Sequence, residues 1–250
     1  MKRIVIVLMI GFGLGIVWYM LHKPAQVSSQ ELLVVGTNAE YPPFTYVEND
    51  TIIGFDIDLI KEVTKRLGKK IELKDMPFDV LIPEISRGTI QIIAAGLTPT
   101  PEKEQEVRFT SCYVTGDPLV IISPVDKPLL TVDALADKDV IVNEGYTADF
   151  YMSSIKGPKL KRLSAPATSF LALQSGRANA YVAARSTVGP FFKQYGTEQF
   201  SVAEIPGTEE KYAFAVSPQD ADLVPKINAL LDAMKQDGTI EQFKVKWGLK

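Results

Sequence analysis

The sequence predicts an α/β fold on three observations. Short apolar runs alternate with segments of helical period from Leu32 to the end of the chain. The clearest helical segment, "FDIDLIKEVTKRLG", places Leu59, Val63 and Leu67 on one face with Ile60 beside them. The chain closes on two helical segments joined at Asp237-Gly238-Thr239, a glycine stop followed by a threonine start. No repeat at a solenoid period is visible.

Each element follows in order. "LLVVG" reads as a buried strand, and "NAEYPPFTYVENDTIIG" as a loop plus a hairpin turning at Asn49-Asp50. The helix after it takes Asp56 as its cap and stops at Gly68. "KIELKDM" is a second strand, "FDVLIPEISRG" a short helix ending at Gly88, and "TIQIIAAG" a third strand. A second unit begins with strand "PLVIIS" and the short helical segment "VDALADK". It continues through strand "DVIVNEG", helix "YTADFYMSSI", helix "SFLALQSGRA" and strand "NAYVAA". Helix "STVGPFFKQYG" and strands "FSVAEI" and "YAFAV" precede the closing helices "DADLVPKINALLDAMKQDG" and "TIEQFKVKWG".

Composition narrows the function. The 250 residues fit one large or two small domains, and 46% hydrophobic content builds a core easily. A net charge of −3 without a polybasic block argues against nucleic acid. One cysteine, Cys112, and one histidine, His22, exclude an internal disulfide and a thiolate zinc site. They leave carboxylates as the available acid–base groups. Asp56 and Asp58 point apart on a helix and suit capping and solvent rather than a metal, and Cys112 reads as a buried structural thiol. No cofactor or metal is expected.

The N-terminus assigns the compartment. "MKR" precedes the uncharged, mostly apolar run Ile4 to Leu21, which reads as an export signal. Trp18 and Tyr19 sit where an interfacial belt would lie, and Val27-Ser28-Ser29 offers a cleavage site. No cysteine follows the run for lipid attachment. Residues 1–29 are therefore a signal peptide or an N-terminal membrane anchor, and the rest is an exported domain facing the periplasm or the outer side of the inner membrane.

Four stretches carry a family resemblance: "VGTNAEYPPFTYVENDTIIGFDIDLIKEVTKRLGKKIEL", "FDVLIPEISRGTIQIIAAGLTPTPEKEQEVRFT", "SGRANAYVA" and "LLDAMKQDGTIEQFKVKWG". Together they cover nearly all of residues 31–249, and the chain resembles the polar amino acid solute-binding proteins of bacterial ABC importers. The resemblance implies a two-lobed type II periplasmic-binding-protein fold with two crossing strands as hinge and ligand trapped between the lobes. Residues 31–116 plus 207–250 would form the first lobe and 117–206 the second, with crossings near Thr115-Gly116-Asp117 and Pro206-Gly207-Thr208. It also implies a monomeric, non-enzymatic protein that captures a polar L-amino acid for a permease, touching the membrane only through residues 4–21 if uncleaved.

The site follows residue by residue. The strand end Ala95, Gly96, Leu97 and Thr98 would offer backbone donors and a hydroxyl to the ligand carboxylate. Lys103 stands where the family usually carries arginine, keeping the charge without the fork. Across the cleft, the turn "NEGYT" matches an anion-binding turn before a helix, with Asn143, Gly145, Tyr146 and Thr147. The ammonium partner is the difficulty, because Ala184 stands at the family's acidic position. Another acid such as Glu144 supplies the charge, or the ligand lacks an ordinary α-ammonium, or binding is weak. Tyr41 and Phe78 would sandwich the ligand side chain near Asn38, which fits arginine, then glutamine or lysine. A cyclohexadienyl dehydratase-like enzyme and a membrane-tethered sensor remain as alternatives.

Overall fold

The protein is described by a computed structural model covering residues 31–249; the N-terminal apolar run and its candidate cleavage site lie outside the described residues. Among the described residues no helix is long and apolar enough to cross a membrane.

The chain opens with β1 (Leu32–Thr37), β2 (Glu40–Tyr41), and the hairpin β3 (Thr45–Glu48) and β4 (Thr51–Ile53). Asn49 and Asp50 turn the hairpin with φ of 48° and 57°, the left-handed pair that matches strand twist in a two-residue turn. Helix α1 (Phe55–Arg66), β5 (Lys70–Asp75) and helix α2 (Leu81–Ser86) follow, then the short strands β6 (Ile92–Ile93) and β7 (Arg108–Phe109). Strand β8 (Val114–Asp117) leads to the second sheet: β9 (Leu119–Pro124), β10 (Asp139–Asn143), α3 (Thr147–Ser154), β11 (Lys159–Leu163), α4 (Pro166–Gln174), β12 (Ala180–Ala184), α5 (Arg185–Tyr195) and β13 (Phe200–Glu204). The return runs through β14 (Glu210–Tyr212) and β15 (Ala215–Val216) to α6 (Leu223–Gln236) and α7 (Thr239–Trp247).

Two five-stranded sheets result, ordered β5-β1-β6-β15-β7 and β11-β10-β12-β9-β13. Each is apolar on both faces, as a sheet covered on both sides must be. In the first lobe, Leu33, Val35, Leu59, Ile227 and Leu231 pack on one side, and Leu81, Ile85, Ile90 and Ile93 on the other. In the second, Val140, Val142 and Val182 face Met152, while Ile141 and Tyr181 face Phe170 and Leu173. Between the sheets, β8 and β14 pair antiparallel, with Glu210 opposite Asp117.

Several local expectations are corrected. Asp56 does not cap α1: the N-cap is Gly54, with no side-chain cap bond, and Asp56 is fully buried. Asp58 ties down the C-terminus instead, its Oδ2 accepting from Lys246 Nζ at 2.7 Å and Trp247 Nε1 at 2.8 Å. Within "TIQIIAAG" only Ile92–Ile93 is a strand, and "YAFAV" divides between β14 and β15. Strand β11, "KLKRL", is an element that the sequence pattern does not predict. It is a charged, half-exposed edge, and edge strands of this kind carry no apolar run to announce them. Cys112 is half-buried rather than buried, with its thiol pKa raised by the burial it has.

Candidate functional site

The lobes meet across a cleft of about 300 Å³ lined by Phe78, Leu97 and Lys103 on one side and Glu144, Gly145 and Phe150 on the other. A larger groove of about 380 Å³ around Lys127, Leu129 and Lys138 is built from the second lobe alone. Neither Lys103 nor Glu210 lines it, so volume by itself does not choose the site.

Lys103 lies in a single turn following the loop after β6 and is 7% exposed. Its Nζ donates to the Thr98 carbonyl at 3.1 Å and stands 6.0 Å from the Phe78 ring centre and 5.6 Å from that of Phe150. Burial lowers its pKa to about 8, opposed by the charges of Glu210 and Glu102. The Thr98 hydroxyl is buried with no hydrogen-bond partner. A cation and an unused hydroxyl on one short loop form a ready receptor for a carboxylate.

The loop itself is held from behind. Position 96 requires glycine on two counts: its φ is +60°, and a Cβ there would meet Tyr41 Cε1 at 2.6 Å. The Gly96 N–H donates to Asp56 Oδ2 at 2.6 Å, and Tyr113 Oη donates to the same oxygen at 2.7 Å. Gly96 therefore has no free donor for a ligand, contrary to the sequence expectation. Burial raises the Asp56 pKa to about 7, against these two bonds. Ala95 and Leu97 are buried in the first-lobe core, and the Leu97 carbonyl accepts from Ala213 N at 3.1 Å.

Across the cleft, Asn143 is consumed internally. Its Nδ2 donates to Leu163 O at 3.1 Å and Ser169 Oγ at 3.0 Å, and its Oδ1 accepts from the Tyr181 hydroxyl. It supports the turn from below rather than facing the cleft. Gly145 has φ +78° and donates its N–H to Asp149 Oδ2 at 3.2 Å. Tyr146 crosses to the first lobe, its hydroxyl donating to Asn38 Oδ1 at 3.1 Å. Its ring lies 4.3 Å from that of Phe78 and 6.1 Å from that of Tyr41. Tyr146 thus takes the place between the two aromatics that the sequence reading reserved for ligand.

Two acids that the sequence motifs do not single out, Glu210 and Asp117, stand at the strands between the lobes. Glu210 is 6% exposed and stands beside Asp117. Tyr212 Oη bonds to Asp117 Oδ2 at 2.6 Å and Glu210 Oε2 at 2.8 Å. Tyr41 Oη bonds to Tyr212 Oη at 2.7 Å and, across the cleft, to Ser186 Oγ at 2.8 Å. Ser186 donates its N–H to Asp117 Oδ1 at 3.1 Å and its hydroxyl to Oδ2. Burial raises the Glu210 pKa to about 7, with Thr147 and Tyr212 hydrogen bonding opposing it and the Asp117 charge adding to it. The available signal was period two: Glu210 and Tyr212 share the buried face of β14, so an acid stood in an inward register. Ala184 is buried at the end of β12, and Glu144 is exposed at the cleft rim.

Two sheet-built lobes joined by paired strands, with a buried lysine in the cleft lining and a buried glutamate within its electrostatic reach, describe a device for enclosing a small charged molecule. Residues 33–250 match the sequence profile of the bacterial extracellular solute-binding proteins, family 3. The chain belongs to that family.

This family is one of binding proteins rather than enzymes, which sets the dehydratase alternative aside. An arginine-binding extracellular protein of Bacillus subtilis is 31% identical over 232 residues, covering 88% of this chain and 87% of that protein. A probable histidine-binding protein of Neisseria gonorrhoeae is 27% identical over 222 residues, covering 86% of this chain and 82% of its own. Among solved structures, an ancestral arginine-binding protein bound to arginine superposes with a TM-score of 0.82 at 33% identity, covering 87% of this chain and 98% of that one. As a family 3 member, the chain is an extracellular solute-binding protein with the fold of these neighbours.

Proposed function

We propose that this protein captures a polar L-amino acid outside the cytoplasm and delivers it to the permease of an ABC importer, with arginine the best ligand and glutamine or lysine next. The observation that carries the reading is charge placement. Lys103, in the lining of the cleft, and the unpartnered Thr98 hydroxyl stand on one loop, and Lys103 lies within electrostatic reach of the buried Glu210, which faces Asp117 across the β8–β14 pair. A zwitterion has the complementary pattern. The relatives named for arginine favour that ligand over other amino acids.

In this reading residues 31–116 plus 207–250 and residues 117–206 move as two lobes, bending at the paired strands β8 and β14. Asn38, Tyr41, Phe78, Thr98, Lys103, Tyr146 and Thr147 line the closed site, and the Tyr146 ring shifts to admit the ligand side chain. The run Ile4 to Leu21 directs export and is cleaved or retained as a tether in the inner membrane. The working unit is a monomer.

A thermal-shift screen of the purified protein against amino acids, amines and carboxylic acids tests the proposal. Selective binding stabilises by mass action, so arginine raises the melting temperature in a dose-dependent way. If no basic or amide amino acid does so, the assignment is wrong.

A further inference from the structure

We infer that Glu210 and Asp117, the facing acids of the two strands that join the lobes, hold the α-ammonium of the ligand in place of the acid that Ala184 does not provide. The inference rests on the amino acid-binding reading above and names the groups that would make it selective for cationic amino acids.

Position is the first argument. Ala184 pairs with Leu119 in the β12–β9 ladder, and Asp117 lies just beyond Leu119 on the same strand path. From there its carboxylate reaches Ser186, immediately past the end of β12. The charge missing from the strand end is thus restored by the strand beside it. Arg185 is directed elsewhere, bonded to Glu204 Oε1 at 2.6 Å, and Glu144 is exposed at the rim.

Proton supply is the second. Tyr212 Oη lies within hydrogen-bond distance of both carboxylates, yet it has one proton to donate. Tyr41 Oη stands between Ser186 and Tyr212 and also has one. Ser186 adds two donors to Asp117 and the Thr147 side chain one to Glu210, but every one of these donors is neutral, so the facing carboxylates keep two negative charges at a desolvated site, a condition that favours uptake of a proton or a cation. An ammonium brings three N–H donors and the missing positive charge.

Charge balance is the third. The groups facing Glu210 are Tyr41 from β2, Lys103 from its turn, Asp117 from β8, Tyr146 and Thr147 from the second lobe, and Tyr212 on its own strand. Lys103 offsets one of the two carboxylates. Arginine or lysine, with one net positive charge, balances the trio of Lys103, Glu210 and Asp117, whereas glutamine leaves one negative charge of that trio uncompensated.

Isothermal titration compares arginine with 5-guanidinopentanoate, which keeps the carboxylate and guanidinium but lacks the α-amino group. The wild-type protein should prefer arginine by about tenfold or more, and Glu210→Gln should lose at least about tenfold in arginine affinity with far less change for the analogue. Asp117→Asn should act in the same direction. Equal weakening of both ligands by Glu210→Gln overturns this inference while leaving the amino acid-binding reading intact; wild-type protein that binds no amino acid overturns both. A measurement needing no variant guards against misfolding. In buffers of different ionisation enthalpy near neutral pH, arginine should release more protons on binding than the analogue does. Equal release overturns the assignment.

Discussion

The carboxylate of Asp56, buried beneath the first sheet, holds the backbone N–H of Gly96 at 2.6 Å, so the ligand loop is fixed from inside the lobe. Tyr113 donates to the same oxygen, leaving Asp56 Oδ1 without a partner. Asp56→Ala strands both donors in the core. The expected cost is about 2–3 kcal/mol of stability, read from urea unfolding, together with weaker ligand binding. Unchanged stability would show that the loop does not depend on this anchor.

Gly96→Ala meets the Tyr41 ring at 2.6 Å and forces an alanine to φ +60°. Overpacking of this kind costs about 1–3 kcal/mol. Because Tyr41 also bridges to Ser186, the displaced ring should lower affinity more than it lowers the melting temperature. A variant that binds as wild type would place the Tyr41–Ser186 contact outside the closing mechanism.

Lys103 is desolvated, and its pKa is lowered to about 8, so holding its charge in the cleft is unfavourable for the fold. Lys103→Ala should leave unfolding nearly unchanged and reduce amino acid affinity by about tenfold or more, as loss of a buried charged contact does. Calorimetry gives the second quantity and thermal melting the first. Retained affinity would remove Lys103 from the site.

Glu210 also predicts a pH dependence. Its pKa rises from 4.5 unfolded to about 7 folded, so between those values the folded protein binds more protons than the unfolded chain. Its favourable contribution is fully present below 4.5 and is lost as pH rises through about 7. Asp56, raised from 3.8 to about 7, acts with the same sign. Glu210→Gln should flatten the fall in stability across this window by on the order of 3 kcal/mol. Parallel wild-type and variant curves would contradict the raised pKa.

Asp58 provides a contrast far from the cleft. Asp58→Ala removes the bonds from Lys246 and Trp247 that pin α7 to α1, at about 1–2 kcal/mol of stability. Ligand affinity should not change; a large change would mean that the C-terminal helix communicates with the site.

The sequence by itself determined the alternation of strands and helices, the hairpin at Asn49-Asp50, and the small-residue loop from Ala94 to Lys103. These depend on period, turn chemistry and composition, which are properties of neighbouring residues. Only the tertiary structure decided that Asp56 turns inward to Gly96, that Asn143 is used up inside its own lobe, and that Tyr146 lies against both Tyr41 and Phe78. It alone brought Asp117 to Glu210, through the pairing of β8 with β14. The reason is physical: an isolated acid in a sequence reads as solvent-facing, because a buried carboxylate is costly without partners. Its partners here come from segments far apart in the chain, and no local pattern records that they meet.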